Sequence, residues 1–141
     1  MGMVHAEITL KNACDEGNVL AGRIKPEEVR AVTVTAVADT GSLHLVINED
    51  LRQKLGLAVK EERIVNIANG EKLRCKMTEG VEVHWKNRRT MCPAMVLPDA
   101  KSVLFGAIPL EGMDLMVNPV TQEVVGIHGD EEEYPLLSPQ I

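Results

Sequence analysis

The run AVTVTAVA, Ala31 to Ala38, places Val32, Val34, Ala36 and Ala38 in alternation with Ala31, Thr33, Thr35 and Val37. Residues two apart share a face of an extended chain. Neither set carries a charge, so the run reads as a strand covered on both faces, and it ends on Asp39 with Thr40, Gly41 and Ser42 directly behind it. A carboxylate at the end of a buried strand must be hydrogen-bonded, paired or protonated, since uncompensated desolvation costs on the order of several kcal/mol. The next three residues suit that need. Thr40 can turn its hydroxyl into the loop, Gly41 lets backbone N–H groups approach the carboxylate, and Ser42 can donate to it. The same four residues also suit an ordinary strand end closed by an Asx turn, so the rest of the chain has to decide between the two.

That rest is a succession of short β-leaning runs. VHAEITL (Val4 to Leu10) alternates as a strand, and a polar, glycine-containing stretch with KPEE separates it from the run before Asp39. NEDLRQKLGL predicts a short helix: Asn48 caps it, Glu49 and Asp50 suit its positive end, Leu51 and Leu55 share a face, and Gly56 stops it. Asn69-Gly70 lies between two β-leaning arms, the strongest short-range hairpin signal, because both residues tolerate positive φ. A second hairpin runs from VEVHW through Lys86-Asn87 and returns in RTMCPAMVL, where Pro93 belongs at an edge or a bulge. An apolar run breaks at Gly106, a turn or one helical turn spans Pro109 to Gly112, and the strands DLMV and EVVGI follow. Many short strands with regular turns indicate a mainly β barrel or sandwich. Residues 1–128 read as one domain, and residues 129–141, with three successive glutamates, two prolines and no periodicity, read as a C-terminal tail.

Composition removes several functions. The chain of 141 residues is long enough to bury a core without staples. Its net charge of −6 and aromatic content of 2% are ill suited to neutralising phosphates or stacking on bases, so nucleic acid is not an expected partner. Cys14, Cys75 and Cys92 are odd in number and widely spaced, as free thiols in a reducing compartment would be. His5, His44, His84 and His128 show no metal-ligand spacing, and no metal or other cofactor is expected. No segment reaches the roughly 20 apolar residues of a membrane span, and a cytoplasmic location is the expectation.

Three features in order carry a resemblance: the apolar strand running into Asp39-Thr40-Gly41-Ser42, the hairpin at Asn69-Gly70, and the apolar-apolar-Gly run Leu104-Phe105-Gly106. Over about Val4 to Ile127 the chain resembles the single-domain, retropepsin-like aspartic proteases, and the stretch after Leu104 is more similar to bacterial and archaeal members than to viral ones. The resemblance implies an acid-protease barrel with one short helix after the catalytic loop. It makes Asp39, Thr40 and Gly41 the catalytic loop and Ser42 its support. Leu104, Phe105 and Gly106 become the strand crossing behind that loop, and Ala68, Asn69, Gly70 and Glu71 the flap over a peptide or unfolded protein substrate. The mechanism needs two aspartates and the chain has one Asp-Thr-Gly, so a homodimer is implied, with Thr40 of each subunit bracing the opposite loop.

The chain departs from the viral pattern in a coupled way. Viral members place an acid two positions after Asp-Thr-Gly and an arginine after the later Gly, and these pair; Leu43 and Ala107 stand there instead, and losing both avoids a stranded charge. The small Ala38 before the aspartate is also less usual. The competing function is a catalytically weak or inactive module on the same fold that holds an extended peptide by strand addition. His44 can reach the cleft, but a half-exposed structural histidine is the simpler reading.

Overall fold

The computed structural model describes residues 3–129; all but the first residue of the expected tail lies outside them. Strands β1 (Val4–Asn12), β2 (Ala31–Ala38), β3 (Leu45–Ile47), β4 (Val59–Asn66), β5 (Lys72–Trp85), β6 (Arg88–Val96), β7 (Val103–Phe105), β8 (Leu115–Asn118) and β9 (Glu123–Gly126) are joined by helices α1 (Ala13–Leu20), α2 (Glu49–Lys54) and α3 (Ala107–Gly112). Six strands close a barrel in the order β1-β2-β7-β3-β6-β5, and the long β5 returns to β1 through the register Thr9↔His84 to Asn12↔Val81. The β2–β7 and β3–β6 pairs are parallel and the others antiparallel, so the barrel is mixed. β4 pairs only with the outer half of β5 and projects from the barrel, while β8 and β9 form a separate ribbon. The expected mainly β, retropepsin-like architecture is therefore the one the chain adopts.

Inward-facing residues alternate as a half-buried strand requires: in β1, Val4, Ala6, Ile8, Leu10 and Asn12 are buried and the intervening residues are not. Val4, Ala6, Ile8 and Leu10 meet Ala36, Leu45, Ile47, Val81, Val83 and Phe105 in one core. β2 departs from its expectation. Only Ala36, Val37 and Ala38 are buried, while Ala31, Thr33 and Thr35 face solvent, because the short β7 covers β2 from Ala36 onward and no further back. Pro93 faces Gly80 at the irregularity in the β5–β6 ladder, a bulge as expected.

α2 forms where it is expected, with the Asn48 side chain accepting from Leu51 N–H at 2.8 Å and Gly56 closing it at φ +63°. Two further short helices are present. α1 occupies what reads in sequence as a connecting stretch, and its support is largely tertiary. The buried Asn12 caps it by accepting from Asp15 N–H at 3.0 Å and reaches across to donate to the carbonyls of Leu55 and Gly56. Arg30 grips Asp15 with two side-chain bonds of 2.9 Å and a backbone bond of 3.0 Å.

The Arg30 guanidinium, outweighing burial, holds the Asp15 carboxyl below its ordinary value of 3.8. A carboxylate with a lowered folded-state pKa contributes stability that is complete above the unfolded value and is lost as pH falls through the folded one. Arg30 is half-exposed, which keeps the magnitude small. Asp15→Ala is expected to lower the unfolding free energy by about 1 to 2 kcal/mol near neutral pH, measured by denaturant titration. The difference from wild type should shrink below about pH 4, and a difference independent of pH would assign the loss to packing.

Candidate active site

β2 is walled by β1 on one side, with Val4 opposite Ala38, and by β7 on the other, with Phe105 opposite Ala38. Both walls end there. The next residue, Asp39, still donates its backbone N–H to the Phe105 carbonyl at 3.1 Å, but its side chain is exposed at the barrel rim. This corrects the expectation of a buried carboxylate: the strand is buried up to Ala38 and the acid lies one residue beyond its cover. The loop itself aims the group. Gly41 N–H donates to Oδ1 at 2.8 Å, Ser42 Oγ to Oδ2 at 3.3 Å, and Ser42 N–H closes the turn on the Asp39 carbonyl at 3.1 Å. A hydrogen-bonded, acceptor-only carboxylate is thereby held at a fixed orientation and left open to a reactant. Thr40 is exposed and its hydroxyl makes no hydrogen bond among the described residues, so it does not brace its own loop.

Behind this loop β7 passes between β2 and β3, parallel to the first through Val37↔Leu104 and antiparallel to the second through Val46↔Leu104. Phe105 is fully buried in the main core, and Leu104 packs on a second cluster of Val46, Cys75, Met77 and Met95. Gly106 is where the crossing is tightest. A Cβ there would lie 2.4 Å from the His44 carbonyl oxygen, 2.7 Å from that of Ser42 and 2.9 Å from the Leu43 carbonyl carbon. That proximity lets Ala107 and Ile108, at the start of α3, donate their N–H groups to the Ser42 and Leu43 carbonyls at 2.8 and 2.9 Å. First-turn amides, which a helix leaves without internal partners, thus fasten the loop that carries Asp39.

The projecting hairpin of β4 and β5 has Ala68 and Asn69 at its tip, and Ala68, Asn69, Gly70 and Glu71 are all exposed. Its turn differs from a two-residue Asn-Gly turn. Gly70 N–H bonds to the Ile67 carbonyl at 2.9 Å and Ile67 N–H to that of Glu71 at 3.0 Å; Gly70 has φ +86°, whereas Asn69 does not adopt positive φ. This is a three-residue loop closed by a glycine bulge, and Asn69 serves through its side chain, accepting from Glu71 N–H at 2.9 Å. The hairpin joins the site through the second cluster, on which Val65, opposite Leu73 and close to the turn, packs together with Leu104.

His44 shares the face of Val46 by strand alternation and is half-buried. Burial, and next the charge of Arg63 on β4, hold its imidazole below the ordinary 6.5. Arg63 has no motif to mark it; its place follows from the register Arg63↔Cys75. An open cleft of about 400 Å³ adjoins Asp39, lined by Met3, Val4, Val37, Ala38, Ser102 and Leu104.

The sequence model of a family described as aspartyl protease matches residues 22–127, a span that includes the Asp39 loop, the hairpin and the crossing strand. No curated protein matches the chain. The chain belongs to this retropepsin-like aspartyl protease family.

Gly106→Ala tests the crossing. The three atoms its Cβ would meet are backbone, so relief requires moving the Asp39 loop, and overpacking of this kind costs about 1 to 3 kcal/mol. Denaturant unfolding of the variant should show that loss; unchanged stability would mean that the crossing has slack.

Proposed function

We propose that the chain is an aspartic endopeptidase that acts as a homodimer, with the Asp39 carboxylates of two copies facing each other across a two-fold axis. The observation that carries this reading is the exposed Asp39 at the rim, both oxygens oriented by its own loop, in a chain with a single Asp-Thr-Gly. One such carboxylate is half of a catalytic pair. Two in contact cannot both ionise readily, so they share a proton, as in aspartic proteases generally.

The ionised Asp39 takes a proton from water as the water attacks the scissile carbonyl, and the protonated one donates to the carbonyl oxygen. Collapse of the tetrahedral intermediate returns a proton to the leaving amine. Thr40, exposed and without a partner in its own loop, braces the opposite loop. Leu104, Phe105 and Gly106 hold the catalytic loop from behind, and the hairpin tip Ala68 to Glu71 closes as a flap over an extended peptide or unfolded protein.

This chemistry calls for no metal or cofactor, and neither nucleic acid nor a membrane surface is needed as partner. Among the described residues no helix is long and apolar enough to cross a membrane. Cys14 is an exposed free thiol and Cys75 and Cys92 are buried ones, with burial pushing the Cys92 thiol up to about 12. Unpaired thiols fit a cytoplasmic setting.

Asp39→Asn keeps the loop's shape and removes the shared proton, so it should abolish cleavage of an unfolded protein while leaving fold and self-association unchanged. Cleavage that survives in this variant would assign the activity elsewhere; a wild type that binds peptide at pH 3 to 7 but never cuts it would favour the inactive peptide-binding module.

Ser42 gives a pH prediction. Its hydroxyl donates to Asp39 Oδ2, and a hydrogen bond to the ionised form lowers a carboxyl pKa. Removing it in Ser42→Ala should raise the lower pKa of the pair and move the acid limb of the kcat/KM profile to higher pH. A limb left in place would show that the 3.3 Å bond has no hold on the pair.

A further inference from the structure

Four strand ends meet at the rim that carries Asp39. Val4 at the start of β1, Ala38 at the end of β2, Phe105 at the end of β7 and Leu45 at the start of β3 are successive partners across the sheet. Asp39 therefore has β1 on one side and β7 and β3 on the other, and strands in a sheet stand about 5 Å apart.

Each side carries exposed apolar residues. On the β1 side Met3 is 67% exposed and lines the cleft beside Asp39. On the other side Leu43, leading into β3, is 59% exposed, and Ile108, just past β7, is 38% exposed and bonded through its N–H to the Leu43 carbonyl. The rim is otherwise poor in charge. In a chain with 26% charged residues, residues 40–48 and 102–110 contain no Asp, Glu, Lys or Arg. Uncharged surface with protruding aliphatic side chains around a polar group marks a face that another surface covers.

Symmetry specifies how a second copy meets it. In a two-fold contact, if residue i of one copy meets residue j of the other, then j of the first meets i of the second. When the axis passes beside Asp39 and runs perpendicular to the line from β1 to β3, what lies on the β1 side of one copy meets what lies on the β3 side of the other. We infer that Met3 of each copy packs onto the Leu43–Ile108 patch of its partner, twice per dimer, and that this apolar contact locks the two catalytic loops together. The inference rests on the homodimer reading and names the surface that makes the dimer.

The test compares Met3→Lys, Leu43→Glu and the double variant by sedimentation equilibrium and by cleavage of an unfolded protein. All the substituted side chains are exposed in the single chain, so the fold should tolerate them. Each single variant should lose the two-chain species, and cleavage with it, at a concentration where wild type is dimeric. The double variant should regain both, because every Lys then faces a Glu of the partner, and its dimer, unlike that of wild type, should weaken as salt rises. Single variants as dimeric as wild type, or a double variant no more dimeric than the singles, would overturn the contact. Intact dimers with a raised KM would also overturn it and give the patch to substrate instead. A wild type that cleaves as a single chain would refute the homodimer reading itself, whereas a dimeric wild type with unaffected variants refutes only this interface.

Discussion

The passage of β7 between β2 and β3 is the constraint on which the rest of the structure depends. It puts a three-residue strand in the middle of the barrel wall, pairing parallel on one side and antiparallel on the other. It also brings the backbone at Gly106 against the carbonyls of Ser42 and His44. Any side chain there would force the Asp39 loop away. With none, the first amides of α3 reach the Ser42 and Leu43 carbonyls, and the loop is held by hydrogen bonds from behind while its front stays open. An Asx turn alone would orient the carboxylate relative to its own backbone; the crossing fixes that backbone relative to the barrel.

The same arrangement explains why the acid is exposed. β1 and β7 both reach their rim at Ala38, so each additional residue of β2 leaves the sheet. A carboxylate there keeps its hydration in the isolated chain and pays the cost of desolvation only when something covers the rim. In the proposed dimer, the lack of charged residues in 40–48 and 102–110 and the protruding Met3, Leu43 and Ile108 would favour that cover through apolar burial. The projecting hairpin complements this. β4 has no buried residue, and its packing on the barrel runs through half-buried Val65, opposite Leu73 and close to the turn, on the cluster of Cys75 and Met77.

Local chemistry was legible in the sequence wherever neighbouring residues determine the outcome. Asn48 caps α2, Gly56 ends it, Pro93 lies at a bulge, and Gly41 and Ser42 bond the Asp39 carboxylate. What depends on distant partners was less legible. α1 contains Gly17 in its middle, a poor helix residue, and forms because Arg30 and the end of α2 hold Asp15 and Asn12. β2 is less covered than its composition suggests, since alternation of Val and Thr cannot show that β7 pairs with only its last three residues. Asn69-Gly70 was identified as a turn but not as this one, because Ile67 and Glu71 pair and lengthen the loop. The role of Gly106 was available only through family resemblance, as no local pattern says which carbonyls a glycine will meet.

The central claim is that one chain supplies half of a catalytic pair. Mixing wild type with Asp39→Asn at constant total concentration, allowing exchange, and following cleavage against the wild-type fraction tests it most directly. If both carboxylates are required, only wild-type pairs cut, and the rate should fall as the square of the wild-type fraction. A rate falling in direct proportion to that fraction would mean that a single Asp39 suffices, and would contradict the account.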